Sequence, residues 1–463
     1  MSQPAMKPIV RQLFGTDGIR GVAGEYPLNP ATVFAIGRAL GARLAKRYPD
    51  TSRAVLIGED TRESSDWISN TIALGLIDGG AEAVRAGVLT TPAVAYLTRS
   101  HNFAAGIVIS ASHNPWMDNG IKIFGANGYK LSDEIEHEIE QEIFAHIEEL
   151  DSATAPIDSA HVVSRSNSLR FDFIKWLQSN VDVTALSQLE VVVDCANGAA
   201  SAIAPELFSC CNLKAEFLHI SPNGRNINEG CGALHPEHVA SHVAKSPCDL
   251  GISLDGDADR ALFSDANGNV INGDAVLLIA ARDMKARGTL RNDTVVATTM
   301  SNMGLEKALR DSGIKMLRAP VGDKYVLEQM LSTGATLGGE QSGHILFLDG
   351  EATTGDGLLT AFRVLDIMGR TGRSLDQLLS GFKVFPQRIK NVRVREKKAF
   401  DHVPEIAAAI RRAESELDGN GRVVVRYSGT ERLARVMVEA ESEALMNRHT
   451  DAIAAAIQTS LGE

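Results

Sequence analysis

Short apolar runs alternate with helical patterns along most of the chain. Val55-Leu56-Ile57, Ile107-Val108-Ile109, Val191-Val192-Val193 and Thr294-Val295-Val296 are rich in β-branched residues and flanked by Gly, Asp or Asn. Runs that are apolar on both faces read as buried parallel strands. Between them lie amphipathic helices. From Glu134 to Leu150, Ile135, Ile139, Ile143 and Ile147 recur every four residues and form one apolar stripe. The acidic residues between them (Glu134, Glu136, Glu138, Glu140, Glu142) read as a solvated face. This alternation predicts open, parallel α/β domains, whose ligand loops lie beyond the carboxyl ends of strands. After Phe385-Pro386 the pattern changes. It predicts a strand (Arg388 to Arg395), a helix (Val403 to Glu416), two strands (Arg422 to Arg426 and Arg435 to Glu439) and a helix (Glu443 to Leu461).

Charge separates the same regions. The 463 residues carry a formal net charge of −12. From Lys383 to Glu463 there are 14 Lys/Arg and 12 Asp/Glu, whereas the first 382 residues hold 32 against 46. This shift marks a separately folded, slightly basic C-terminal domain. The acidic balance elsewhere excludes a general nucleic-acid binder, which needs a basic surface. Five cysteines, with Cys210 next to Cys211, give no disulfide framework and fit a reducing compartment. Met1 to Val10 has no apolar core of a secretory signal, and no stretch approaches about 20 apolar residues. A cytoplasmic protein without nucleic-acid or membrane partners is expected.

Five polar loops could carry chemistry. Ser110-Ala111-Ser112-His113-Asn114-Pro115 comes directly after a strand and puts a Ser beside a His, either an activated nucleophile or a polar turn. It is not the G-x-S-x-G elbow of hydrolases. Asp255, Asp257 and Asp259 alternate along Asp255-Gly256-Asp257-Ala258-Asp259-Arg260. Three carboxylates on a tight loop repel one another unless a hard cation gathers them, and oxygen-only ligands suit Mg²⁺, Mn²⁺ or Ca²⁺; the other reading is a solvated acidic turn. An EF-hand is excluded because Arg260 and Ala266 stand at its sixth and twelfth positions. Gly339-Glu340-Gln341-Ser342-Gly343-His344 offers short hydrogen-bonding groups for a polyhydroxylated ligand, or is a glycine-rich turn. Arg426-Tyr427-Ser428-Gly429-Thr430-Glu431, with Arg435, has the makings of a phosphate cradle. In Phe14-Gly15-Thr16-Asp17-Gly18-Ile19-Arg20-Gly21, Arg20 could hold an anion or a surface salt bridge. No G-x-x-x-x-G-K-[ST] loop is present. His235, His238 and His242 near Cys231 and Cys248 have zinc-like spacing but no C-x-x-C pair, and read as part of a helix.

Taken in chain order, from Phe14–Gly21 to Arg426–Glu431, the five loops resemble those of the α-D-phosphohexomutase superfamily over nearly the whole chain. The Phe14–Gly21 start, Gln341 in the sugar loop and Ala319-Pro320-Val321-Gly322-Asp323-Lys324-Tyr325 are most similar to its phosphoglucosamine mutase subgroup. Two positions depart from the pattern. Ala258 stands where Gly is usual, which should be tolerated if φ stays negative, and Arg432 stands where Pro is expected.

The resemblance implies four domains around a central cleft: three related α/β domains with mixed sheets and a smaller C-terminal α+β domain. Their limits would be 1–165 (phosphoserine), 166–264 (metal loop), 265–385 (sugar) and 386–463 (phosphate). It implies that Ser112 is phosphorylated and, with Asp255, Asp257 and Asp259, holds one Mg²⁺. Arg20 and Arg260 would bind there, with Lys122 or His113 exchanging the proton of the attacking hydroxyl. Glu340, Ser342 and His344 would hold the sugar. Arg426, Ser428, Gly429, Thr430 and Arg435 would hold the non-reacting phosphate. The implied substrate is a hexosamine phosphate, and the implied activator and intermediate is a hexose 1,6-bisphosphate. A kinase or the bisphosphate would load Ser112, and a homodimer is the implied assembly. The activity would interconvert glucosamine 6-phosphate and glucosamine 1-phosphate, on the route to UDP-N-acetylglucosamine and cell-wall precursors. A phosphomannomutase or phosphoglucomutase is the alternative, and a non-catalytic sugar-phosphate sensor a third reading.

Overall fold

A computed structural model describes residues 12–150, 162–164, 166–428 and 432–463. The expectation for Met1 to Val10 and the loop positions Gly429, Thr430 and Glu431 lie outside them. The chain parts into two compact units. Met1–Thr298 with Arg318–Leu378 form one, and Thr299–Leu317 with Leu379–Glu463 form the other.

The first unit contains three α/β sheets, and they are mixed rather than purely parallel. In the first, Ala54–Glu59 pairs in parallel with Glu82–Val88 and with Ala105–Ile109. Asp118–Gly125 then returns antiparallel to Ala105–Ile109, and Ile19–Val22 antiparallel to Asp118–Gly125. In the second, Glu190–Asp194 is parallel to Lys214–Leu218 and Leu250–Leu254, and Ala261–Asp265 returns antiparallel to Leu250–Leu254. In the third, Thr294–Thr298 is parallel to Leu337–Gly339, and Ile345–Phe347 returns antiparallel. The apolar runs are thus parallel strands as expected, but the sheets are not parallel throughout. Each site loop joins a buried strand to an antiparallel neighbour, so it is a hairpin loop with both ends fixed by register. The closing pairs are Ile109↔Ile121, Leu254↔Ala261 and Gly339↔Ile345.

The helix Asp133–Leu150 buries Ile139 and Ile143, with Ile135 and Ile147 packed against the same core. Its acidic side is not uniformly solvated, which corrects the sequence reading. Glu136 and Glu140 are buried. The Glu140 carboxylate accepts backbone N–H bonds from Gln12 and Leu13 at 2.8 Å each and from Phe14 at 3.2 Å. Charge-assisted bonds of this kind favour burial of an acid, and here they anchor the chain as it enters the Gly15–Gly21 loop.

In the second unit, Gln387–Arg393, Leu433–Ala440 and Gly421–Tyr427 form an antiparallel sheet in that order. Helices Pro404–Leu417 and Glu443–Leu461 bury Ile406, Leu417, Ile453 and Ile457 against it. The element order matches the sequence reading with ends shifted by one or two residues. Residues outside the C-terminal stretch also join this unit. Asn302 donates to Phe385 O and to Glu439 Oε1 at 3.0 Å each, satisfying a buried carboxylate.

Candidate active site

The Ser112 loop and the three-aspartate loop meet face to face. Ser112 Oγ donates to Asp255 Oδ2 at 2.6 Å, with His113 Nδ1 3.4 Å away. Ser112 has φ of +52°, a left-handed backbone that costs a non-glycine residue on the order of 1 kcal/mol. The surrounding structure imposes it. Ser112 N donates to Ser110 Oγ at 3.0 Å, and Ser110 Oγ donates to Asp60 Oδ2 at 2.6 Å. Arg62, paired with Asp60, and Asn228 both donate to Ser112 O and Asn114 O. A Cβ on Gly256 would lie 2.5 Å from Ser112 O, so only glycine lets the two loops approach this closely.

Asp255, Asp257 and Asp259 are buried, and their ligand oxygens lie within 4.8 Å of one another. Oδ1 of Asp257 and of Asp259 is buried without a hydrogen-bond partner. Burial, then the charges of Asp259 and Asp257, push the Asp255 carboxyl well above the usual range. Burial also opposes ionisation of Asp259, but Lys122, His344 and Arg260 outweigh it and hold its pKa well below normal. Orphaned oxygens and converging carboxylates are the donor set of a hard cation, and these residues form a possible metal site. Ala258 does not meet the backbone condition under which the sequence would tolerate it. Its φ is +55°, not negative. The loop keeps it there because Ala258 O accepts Gly357 N–H at 2.9 Å and Ala258 N donates to Asp255 O at 3.0 Å.

Lys122 is buried beside the aspartates. Its Nζ lies 2.9 Å from Asp257, 3.1 Å from Asp17 and 3.7 Å from Asp259. Burial alone would lower its pKa, but these three carboxylates raise it well above the usual ammonium range. His113 moves the other way. Burial, with Arg260 and Arg20 beside it, lowers its pKa and favours neutral imidazole. Arg260 Nη1 sits 3.3 Å from His113 Nδ1, and Arg20 pairs with Asp17.

A cleft of about 220 Å³ opens over these groups, lined by Arg20, His113, Asp259, Arg260, Glu340 and His344, with Val321–Tyr325 along one side. Glu340 Oε1 accepts Gly322 N–H at 3.1 Å, and Ser342 lies exposed beside it. His344 Nδ1 is 3.6 Å from Asp259. Gln341 does not line the cleft. Its amide reaches Asp274 Oδ2 at 3.3 Å, at the start of helix Gly273–Ala286.

In the second unit, Arg426 and Arg435 stand directly opposite one another on adjacent strands. Arg426 is exposed, and Ser428 is buried with its N–H on Leu433 O at 2.8 Å. The zinc-like histidines do not gather. His242 pairs with Glu216 and His235 with Glu237. Asp194, His219 and Cys231 do cluster, but Asp194 already accepts from Ala196 N, Gly232 N and His219 Nδ1, and so braces its loop.

Sequence reasoning missed Asp60, Arg62, Thr91, Asn228 and the role of Asp17. Thr91 donates to Asp257 Oδ2 at 2.6 Å. Asp60 and Arg62 lie just beyond a strand end, so the rule that found the other loops could have found them.

The domain descriptions of phosphoglucomutase/phosphomannomutase match this chain four times in order. The alpha/beta/alpha domains I, II and III match residues 11–150, 171–268 and 272–385, and the C-terminal domain matches residues 389–456. The chain belongs to this family of phosphohexomutases. Full-length relatives agree. It is 64% identical to the phosphoglucosamine mutase of Koribacter versatilis over 100% of both chains. It is 49% identical to that of Solibacter usitatus over 98% of this chain and 100% of the relative. Among solved structures, a phosphoglucomutase/phosphomannomutase family protein from Burkholderia thailandensis aligns with a TM-score of 0.76 at 23% identity, covering 97% and 99% of the two chains. The N-acetylphosphoglucosamine mutase of Aspergillus fumigatus, solved with GlcNAc-6P and magnesium, aligns with a TM-score of 0.62 at 19% identity over 96% of both chains. These likenesses bear on the fold, which is a four-domain α/β fold.

Proposed function

We propose that the chain interconverts glucosamine 6-phosphate and glucosamine 1-phosphate through phospho-Ser112 and a hexose 1,6-bisphosphate. The observation that carries this reading is Ser112 Oγ, 2.6 Å from a buried cluster of three aspartates, of which Asp257 and Asp259 each keep one oxygen without a hydrogen-bond partner. Full-length identity to phosphoglucosamine mutases supports the sugar.

Asp255, Asp257 and Asp259 would hold Mg²⁺, which when bound makes phosphorus more electrophilic and offsets developing charge. Arg20 and Arg260 line the cleft and hydrogen-bond phosphoryl oxygens. His113 and Lys122 are the two groups within reach for exchanging the proton of the sugar hydroxyl. Glu340, Ser342 and His344 hold the sugar. Arg426, Ser428, Gly429, Thr430 and Arg435 bind the phosphate that is not reacting. Two arginines opposite each other support that role, because both can donate to one anion. With one reacting centre, phospho-Ser112 donates to the free hydroxyl, the bisphosphate turns over, and the other phosphate returns to Ser112. A hexose 1,6-bisphosphate or a kinase loads the serine first. Domain limits of 1–165, 166–264, 265–385 and 386–463 belong to this reading, as do a homodimeric assembly and a cytoplasmic location. Among the described residues, no helix is long and apolar enough to cross a membrane.

A ³¹P NMR time course tests it, with Mg²⁺, a trace of hexose 1,6-bisphosphate and equal glucosamine, mannose and glucose 6-phosphates. Glucosamine 1-phosphate should form fastest by a wide margin. Faster mannose or glucose turnover would replace the sugar assignment. No turnover, with no gain of about 80 Da on the protein, would leave the sensor reading.

A further inference from the structure

Lys130 belongs to none of the five loops. It lies between strand Asp118–Gly125 and helix Asp133–Leu150, and its ammonium sits mostly buried between two carboxylates from different parts of the chain. One is Asp17 of the N-terminal glycine loop. The other is Asp323, at 2.6 Å, on the segment bordering the cleft. Two further contacts tie its own segment to the part of the chain that carries Asp323. Gly128 O accepts Thr353 Oγ1 at 2.6 Å, and Asp133 pairs with Lys324.

Each carboxylate leads on to the site. Asp17 pairs with Arg20 and reaches Lys122 at 3.1 Å. Asp323 lies 3.8 Å from His344 Nε2. Lys130 does not itself line the cleft. Without the shared cation, each half-buried carboxylate keeps only its other neighbours, and the two branches are joined only by the longer path through Lys122, Asp259 and His344. Reacting groups held about 1 Å out of place lose on the order of 10²-fold in rate.

We infer that Lys130 is a positioning residue, which sets the spacing between the Ser112 side and the sugar loop through Asp17 and Asp323. This rests on the proposed mutase activity.

The test uses the full chain loaded with phosphoserine, and the variants Lys130→Met, Lys130→Arg, Asp323→Asn and Lys130→Met with Asp323→Asn. Lys130→Met should lower kcat about 30- to 100-fold, leave KM within about threefold, and keep phosphate on Ser112 by intact mass. Lys130→Arg should recover at least about tenfold, since a guanidinium can bridge two carboxylates. The double variant should fall no further than Lys130→Met alone, because both changes cut one connection. A kcat within about threefold of the parent, or losses that multiply in the double variant, would overturn the inference. If Lys130→Met does not fold, Asp323→Asn decides. It keeps the Asp17–Lys130 pair, so reduced kcat at constant KM supports the bridge and unchanged kcat refutes it. If the wild type prefers another hexose phosphate, the sugar assignment fails while the bridge is judged on that sugar by the same criteria. If it turns over none, both readings fall.

Discussion

Two regions of this protein gather like charges, and they do so under opposite conditions. The metal loop buries three carboxylates beside Ser112. The C-terminal hairpin sets Arg426 opposite Arg435, with Arg426 exposed to water. Under the proposed function each would take a ligand of opposite sign. The difference is dielectric. Buried charges interact strongly and cannot be screened, so the first region needs Lys122, His344 and Arg260 as standing counter-charges. At the exposed Arg426, water and salt weaken the repulsion. On the proposed function, a reacting centre and a recognition hairpin come from the same electrostatics at two depths. An open cradle also suits a site that must accept either end of a sugar phosphate.

The sharpest way to break the comparison is at Asp255. An Asn there can still accept from Arg260 N and donate to Ser112 Oγ, which replaces both present bonds. Mutase activity of Asp255→Asn should fall about 10³-fold. The metal-free protein should become more stable by about 1 kcal/mol, because one repelling charge is gone. Melting curves with chelator and with Mg²⁺ check both halves, and a lower melting temperature in chelator would refute the repulsion argument. Arg426→Ala should behave differently. KM for the sugar phosphate should rise about 10- to 100-fold, as for loss of a charge-assisted bond. Stability should move by less than about 0.5 kcal/mol, as expected of an exposed site. An unchanged KM would remove Arg426 from the cradle.

Ala258→Gly probes backbone strain in the buried loop alone. At φ of +55° glycine relieves a left-handed alanine, so stability should rise by about 1 kcal/mol with activity nearly unchanged. Thermal unfolding measures it, and a fall in stability would mean the loop holds Ala258 without cost. The smallest effect concerns pH. Burial opposes ionisation of Asp17 and Asp323, but Lys122, Lys130 and Arg20 for the first, and Lys130 and His344 for the second, hold both pKa values below normal. Their stabilisation is therefore present above the unfolded aspartate value of about 3.9 and lost as pH falls through the lower folded values. The melting temperature should drop by a few degrees below about pH 4, and less steeply in Lys130→Met.

Much of this was legible in the chain. Apolar runs marked the buried strands, a polar stretch directly after one of them marked the Ser112 loop, and alternating carboxylates and a Gly-rich stretch marked the loops at Asp255–Asp259 and Glu340–His344. The small C-terminal domain showed in its charge and its strand–helix order. Other features were not legible because they depend on distant residues. Glu140 sits in a run that reads as solvated, yet three backbone N–H groups more than 120 positions away bury it. Gln341 carries the resemblance to one subgroup, yet it holds Asp274 rather than lining the cleft.

By itself the sequence determined which residues could do chemistry, and that five loops of the right kind come in one order. Periodicity and composition are local properties, and the chain states them outright. Only the tertiary structure decided what surrounds each group. It turned the loops into hairpins by adding antiparallel return strands. It forced Ser112 and Ala258 into left-handed backbone, and it placed Lys122 among three carboxylates and Lys130 between two. Those are contacts between residues far apart in the chain, where close approach and exclusion of water set the energies, and no local pattern encodes them.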